Sequence, residues 1–366
     1  MARRSSSLTP ALPFKDAPNL TKMAWIGFAV VAVCVLVSQK TLAAAHCTSV
    51  DDDLMRLACY DAFFAMDRAA SGETSEDDEI ATELVGAPNS TALDHRLLME
   101  AEVVDNTFAI APHRPNYILP LTHNFDANFD EYGLLGRTFT DEEIKMQISL
   151  KTPLARGLWR GSSAWFGYTQ QSYWQLYAED FASAPFRETN YQPEVYWEMP
   201  VSHELLGWRA RLLRLGINHQ SNGQTERLSR SWNRIVGEAV FDRGNLVGTI
   251  KAWHRIEEDA EDDDNPGLED FMGRAQFGLS YKRGDQTYSV NVINNLRTSE
   301  NRSGVELNWT FPLVQQLKGY IQFYSGYGEN MIDAENHTNR IGIGFSLNDW
   351  LCAGCREILV ATGHCY

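Results

Sequence analysis

Residues 304–311 read GVELNWTF, with Val305, Leu307, Trp309 and Phe311 alternating with Gly304, Glu306, Asn308 and Thr310. The same period of two runs through 143–150, where Ile144, Met146, Ile148 and Leu150 form the apolar set. It recurs in 340–348 on Ile341, Ile343, Phe345 and Leu347. Successive side chains of a strand point to opposite faces, so such alternation predicts strands with one apolar and one polar side. Twelve segments of this kind lie near 110–124, 141–156, 162–177, 191–203, 208–221, 229–242, 246–258, 273–284, 286–297, 302–313, 318–333 and 340–351. The chain therefore reads as all-β.

A soluble β-sandwich binding module and a membrane barrel both satisfy that pattern. Three features favour the barrel. The segments are longer than the five or six residues usual for a strand in a soluble sheet. Their polar side carries charge at mid-strand, on Arg214, Glu238, Lys251, Arg274 and Glu306. Tight connections such as Lys282-Arg283-Gly284-Asp285 also alternate with long acidic ones such as EEDAEDDDNPGLED at 257–270, as short periplasmic turns alternate with external loops. An even strand number closes the sheet and removes the edges that lipid cannot satisfy. The expected fold is a twelve-stranded antiparallel transmembrane β-barrel with a short N-terminal periplasmic extension. A mean hydropathy of −0.33 argues against a helical membrane protein and says little against a barrel. The formal charge of −16 argues against nucleic acid as a partner.

The region before the strands supplies an address. AWIGFAVVAVCVLV (24–37) follows Lys22 and precedes small residues up to Ala45, so 1–45 reads as leader and secretory signal peptide. Residues 46–105 read as a periplasmic segment. Cys47 and Cys59 pair there in an oxidising compartment, and the remainder is a mobile acidic linker. The barrel then spans 106–351, and 352–366 form a tail with Cys352, Cys355 and Cys365 whose role the sequence leaves open.

One hairpin stands out. In GINHQSNGQTERLSRSWN (216–233), Leu213, Leu215, Ile217, His219 and Ser221 share a face, opposite Arg214 and Asn218. On the returning strand Asn233 shares a face with Ile235, Gly237, Ala239 and Phe241. In a barrel that face meets lipid, where polar side chains are costly. A base two residues from a hydroxyl, with an amide opposite, meets the demand of nucleophilic catalysis for an oriented base. An asparagine can fix the imidazole tautomer without setting an anion beside hydrocarbon, at the cost of weaker support for the imidazolium. The bland reading is a polar hairpin tip with Asn222-Gly223 as turn former. Both readings stand on the pattern alone.

NHxSNG and SRSWNR, together with YTQQSYWQL (168–176), PFRETNYQPE (185–194) and LNDW near 350, closely resemble bacterial outer membrane phospholipase A over about residues 106–351. The resemblance implies Ser221 as nucleophile, His219 as general base and Asn233 as the orienting amide. It implies hydrolysis of sn-1 and sn-2 esters of phospholipids and lysophospholipids, dependence on Ca2+, and activity as a homodimer. It further implies a barrel placed by the outer membrane assembly machinery in a Gram-negative outer membrane, with the active site toward the exterior. The catalytic calcium would take the Ser229 hydroxyl, the Gln224 carbonyl and the carbonyl of the partner subunit's Ser183. The family has arginine at the Gln224 position, and a carbonyl ligand survives that change. A second family calcium site built on two aspartates is matched by Glu226 and Asp264. Gln170 shares parity with Phe166 and Tyr168, so an amide unpaired in lipid would pair with its symmetry mate at the dimer interface. A catalytically degenerate, porin-like or structural barrel is the alternative. The other acidic residues of 257–264 read as a solvated loop.

Overall fold

The computed structural model describes residues 91–104, 109–178, 184–259, 261, 263–314 and 317–351. They form helix α1 (Ala92–Val104), the two-residue strand β1 (Ala111–Pro112) and twelve long strands. These are β2 (Asn116–Asn124), β3 (Glu142–Ala155), β4 (Ser163–Trp174), β5 (Phe186–Leu205), β6 (Trp208–Ser221) and β7 (Ser231–Arg243), then β8 (Leu246–Ile256), β9 (Ala275–Arg283), β10 (Gln286–Asn294), β11 (Ser303–Val314), β12 (Leu317–Gly326) and β13 (Thr338–Asn348). A single-turn helix, α2 (Glu269–Met272), lies between β8 and β9. Each long strand pairs antiparallel with its sequence neighbours, and β13 returns to pair with β2 through Ile341 opposite His123. The ring is closed, with no unpaired edge. β1 prolongs the edge of β2 along β3, Ala111 opposite Lys151. Among the described residues no helix is long and apolar enough to cross a membrane.

The radial polarity is the reverse of a soluble protein's. Ile217 is 60 % exposed, whereas the next residue, Asn218, is 1 % exposed. Leu215, Ile235, Ile250, Leu279 and Ile343 are likewise exposed on the outer face, while Lys145, Lys151, Arg234 and Arg340 are buried within the ring. A band of exposed aliphatic side chains on every side suits hydrocarbon; inside, Lys145, Lys151 and Arg340 are paired with carboxylates, and Arg234 is held by the amide oxygens of Asn218 and Gln220. Toward the long-loop end, Lys145 Nζ lies 2.9 Å from Glu329 Oε1, which Arg340 Nε also meets at 3.0 Å. Arg340 and Arg187 share Glu143, at 2.8 and 3.0 Å, and Arg187 also holds Asp333. Glu329 and Asp333 come from the 327–337 connection, which folds into the mouth of the ring. The sequence predicts strand through residue 333, yet β12 ends at Gly326, since Glu329, Asn330 and Met331 are all buried and no longer alternate. A cavity of about 260 Å³ lies among the inward side chains, bordered by Arg114, Gln147, Lys251, Glu306 and Asn308.

The opposite, tight-turn end holds the main difference from expectation. Residues 92–104, read as part of an unpatterned acidic linker, form α1 and pack on the ring. Leu93 is buried with Leu212, Val240, Val247 and Leu351. Glu100 pairs with Lys151 at 2.9 Å, and Arg96 donates to the carbonyl of His113 at 3.1 Å and to that of Trp350. Thr91 and Asp94 cap the helix reciprocally, Thr91 N donating to Asp94 Oδ2 at 2.8 Å and Asp94 N to Thr91 Oγ1 at 3.3 Å. The leader, the Cys47–Cys59 pairing and the tail lie outside the described residues.

Candidate active site

β6 and β7 are joined by residues 222–230 at the long-loop end, and their register sets His219 opposite Asn233 and Ser221 opposite Ser231. His219 Nδ1 and Asn233 Oδ1 are 2.9 Å apart. An amide oxygen only accepts, so Nδ1 carries the proton and Nε2 keeps the lone pair needed by a base. Ser221 follows two residues along the same face, about 6.6 Å by strand rise. No hydrogen bond joins its hydroxyl to the ring among the described residues, and such contacts tighten when substrate binds. All three side chains are half-buried, amid the exposed Ile217, Ile235 and Ile256 on the outer face.

The inner face of the same hairpin fixes it in place. Arg234 Nη2 donates to Gln220 Oε1 at 3.0 Å and to Asn218, and its guanidinium lies 4.2 Å over the Trp232 ring. Trp232 Nε1 donates to Gln220 Oε1 at 3.1 Å, and Asn218 Nδ2 to Glu194 Oε2 at 3.3 Å. Asn222 does more than form a turn. Its Oδ1 accepts from the N–H groups of Gln224 (3.3 Å) and Arg230 (2.9 Å), and its Nδ2 donates to the Leu228 carbonyl at 2.8 Å. Gly223, at φ +64°, lies where a Cβ would come 3.1 Å from the Tyr191 ring. Gly223 is exposed, and its N–H meets no acceptor among the described residues.

Of the residues expected to hold calcium, Ser229 and Asp264 come together: Ser229 Oγ donates to Asp264 Oδ2 at 2.7 Å. Gln224 is exposed, and its carbonyl accepts no hydrogen bond among the described residues. These are hard oxygen donors of the kind calcium takes, and they fit it. Glu226 is exposed at φ +53° in the same loop, and its carboxylate makes no ion pair among the described residues. No group of three His, Cys, Asp or Glu able to hold a metal occurs among the described residues, so an ion here would rest largely on hydroxyl and main-chain oxygens. Ser183 lies outside the described residues.

Two sequence readings change. Gln170 does sit on the outer side of β4, but its amide is not unpaired: Oε1 accepts from Tyr168 Oη at 2.9 Å and Nε2 donates to Ser172 Oγ at 3.2 Å. A symmetry-related pairing would have to exchange these bonds. The acidic stretch after β8 is not merely solvated either. Asn233 Nδ2 donates to Glu258 Oε1 at 2.9 Å, a residue the sequence gives no reason to single out.

A family model described as phospholipase A1 matches residues 93–347. The chain belongs to the phospholipase A1 family. Phospholipase A1 of Escherichia coli K12 is 35 % identical over 249 residues, covering 67 % of this chain and 83 % of that protein. The outer membrane phospholipase A of E. coli, solved with an asparagine-to-alanine active-site change, superposes with a TM-score of 0.63 at 34 % identity, covering 67 % of this chain and 94 % of the other. A Salmonella typhi outer membrane phospholipase dimer with bound calcium gives 0.64 at 32 % identity, covering 72 % and 99 %. The likeness thus takes in α1 and the whole ring of this phospholipase A1 family member.

Proposed function

We propose that this chain is a calcium-dependent outer membrane phospholipase that cleaves sn-1 and sn-2 acyl esters of phospholipids and lysophospholipids. It works as a homodimer, from a site on the lipid-facing side near the exterior end of the barrel. The observation that carries this reading is the 2.9 Å His219–Asn233 bond on the outward face, with Ser221 on the same strand and face. Family membership and the related calcium-bound dimer support it.

In the first half-reaction Ser221 Oγ attacks the ester carbonyl carbon as its proton passes to His219 Nε2. Asn233 Oδ1 holds the Nδ1–H, so the ring stays in the tautomer that can accept. The Gly223 N–H, which meets no acceptor among the described residues, would donate to the developing oxyanion. On collapse the C–O bond to the glycerol oxygen breaks, and that oxygen leaves with the proton from His219. Water, deprotonated by His219 Nε2, then attacks the acyl-serine; the C–Oγ bond breaks, Ser221 Oγ takes that proton back from His219, and the fatty acid is released. Calcium, held by Ser229 Oγ, the Gln224 carbonyl and the carbonyl of the partner subunit's Ser183, would add positive charge near the oxyanion. Glu226 and Asp264 would each lend a carboxylate to a second calcium site. Splitting ligands between chains would tie turnover to dimerisation through the face that carries Gln170. The crowded interior, with both mouths lined by ion pairs, disfavours the passive pore.

Wild type and Ser221→Ala, each with calcium and with a chelator, test the reading on diacyl and lysophospholipid vesicles. Ser221→Ala is expected to lose at least about 1,000-fold in kcat while remaining a folded barrel. Chelator is expected to abolish wild-type turnover reversibly. Full activity of either would overturn the assignment.

A further inference from the structure

An amide in the third position of a Ser-His dyad leaves a gap. It can orient the imidazole, yet it brings no negative charge to balance the imidazolium formed when Ser221 gives up its proton. It can also rotate by half a turn and offer its NH2 to Nδ1, which would select the tautomer that cannot act as base. The far side of Asn233 answers both problems. Ile256, the last residue of β8, pairs with Asn233, and two residues later the chain brings Glu258, half-buried, to 2.9 Å from Asn233 Nδ2.

We propose that Glu258 is a positioning residue for the reaction, acting on His219 through Asn233; the proposal rests on the Ser221–His219–Asn233 reading above. A carboxylate only accepts, so it admits only the orientation of the Asn233 amide that turns the NH2 to itself and the oxygen to the ring. Among the described residues Glu258 has no other hydrogen-bond partner and no cation beside it, whereas Asp263 and Glu269 nearby are both paired with Arg255. Its charge is therefore not neutralised locally. Hydrogen bonds in series polarise one another, so the anion makes the Asn233 oxygen a better acceptor at the moment the ring becomes a cation. The other outward neighbours of His219 include no second anion: Tyr191 lies opposite Ser221, His254 lies opposite Ile235, and Ile217, Ile235 and Ile256 are aliphatic. The carboxylate missing from the triad is thus held one amide further out, away from hydrocarbon.

The test uses the full chain in phospholipid vesicles with calcium. Glu258→Gln is expected to lower kcat by about tenfold with KM unchanged. It should also move the acid limb of the kcat/KM profile to lower pH by about half a unit, because an imidazolium with less support loses its proton more readily. In an Asn233→Ala background the same change is expected to do nothing, since the connecting amide is gone. Asn233→Asp alone sets two carboxylates together, and Asn233→Asp/Glu258→Gln, which moves the charge inward by one position, is expected to be the more active of the two. A Glu258→Gln enzyme with wild-type kcat and an unmoved acid limb would overturn the proposal. So would an equal loss with and without Asn233, which would mark a merely structural role. Ser221→Ala separates the two levels. If it is inactive while Glu258→Gln is unaffected, this inference fails and the function stands; if it turns over, the function itself fails.

Discussion

Leu215→Arg asks whether the outer face meets lipid, on which the catalytic reading depends. Leu215 is the eighth of the 14 residues of β6, points outward at 56 % exposure, and has Trp197 and Gly237 as cross-strand neighbours. With a rise of about 3.3 Å per residue and a strand tilt of about 40°, His219 lies about 10 Å nearer the long-loop end. If Leu215 marks the midplane of an apolar band about 25 Å tall, His219 sits just inside its upper rim, at the depth of an acyl ester. An arginine at the midplane of a barrel's lipid face costs about 2–4 kcal/mol, which lowers the folded-to-unfolded ratio about 30- to 900-fold. On a water-exposed face the same change would fall within about 0.5 kcal/mol of zero. Leu205, 74 % exposed at the tight-turn end of β5, provides the control, with an expected cost for Leu205→Arg of about 0–1 kcal/mol. Denaturant titration of protein folded into phospholipid vesicles, followed by tryptophan emission, measures both. Equal costs at the two positions, or under about 0.5 kcal/mol at Leu215, would refute a lipid-facing site.

Gly223→Ala forces a side chain into a left-handed conformation against the Tyr191 ring, and kcat should fall by about tenfold or more as the N–H shifts; single-turnover hydrolysis reads this. Leu93→Ala empties a site under α1 that is 1 % exposed and should cost about 2–5 kcal/mol by denaturant titration, with little change in kcat of the protein still folded. Glu329, in the 327–337 connection, is pushed up by burial, but Arg340 and Lys145 outweigh that and hold its carboxyl below its ordinary 4.5. A depressed carboxyl contributes stability that is complete above the unfolded value and is lost as pH falls through the folded one. Stability should therefore fall below about pH 4.5, and Glu329→Gln should flatten that acid dependence while costing about 3–5 kcal/mol at neutral pH.

The ring was legible because an inside-out barrel writes its two faces at every second residue. β6 was expected at 208–221 and spans Trp208–Ser221, and the segment read at 302–313 is Ser303–Val314. The His219–Asn233 contact was legible too, since parity and one turn suffice to set the two opposite each other, with Ser221 on the same face. What failed was whatever depends on contacts distant in sequence. α1 has a capping box, Thr91-Ala-Leu-Asp94, but its charges look solvated until Arg211 and Lys151 of the ring arrive to pair with Asp94 and Glu100. Residues 329–333 continue a plausible strand and leave it only because Lys145, Arg187 and Arg340 draw Glu329 and Asp333 inward. Glu258 sits in a run of like residues and acquires a partner 25 positions away only when β7 and β8 are in register.

Arg96 touches both flanks of the place where the first and last ring strands meet: the carbonyl of His113 just before β2 and that of Trp350 just after β13, whose indole it also covers at 5.0 Å. The part of this clasp on Trp350 exists only where the end of β13 lies beside the start of β2. α1 thus spans the seam of the ring, fastening the start of the first long strand to the end of the last one while its other contacts rest on β3, β6, β7 and β8.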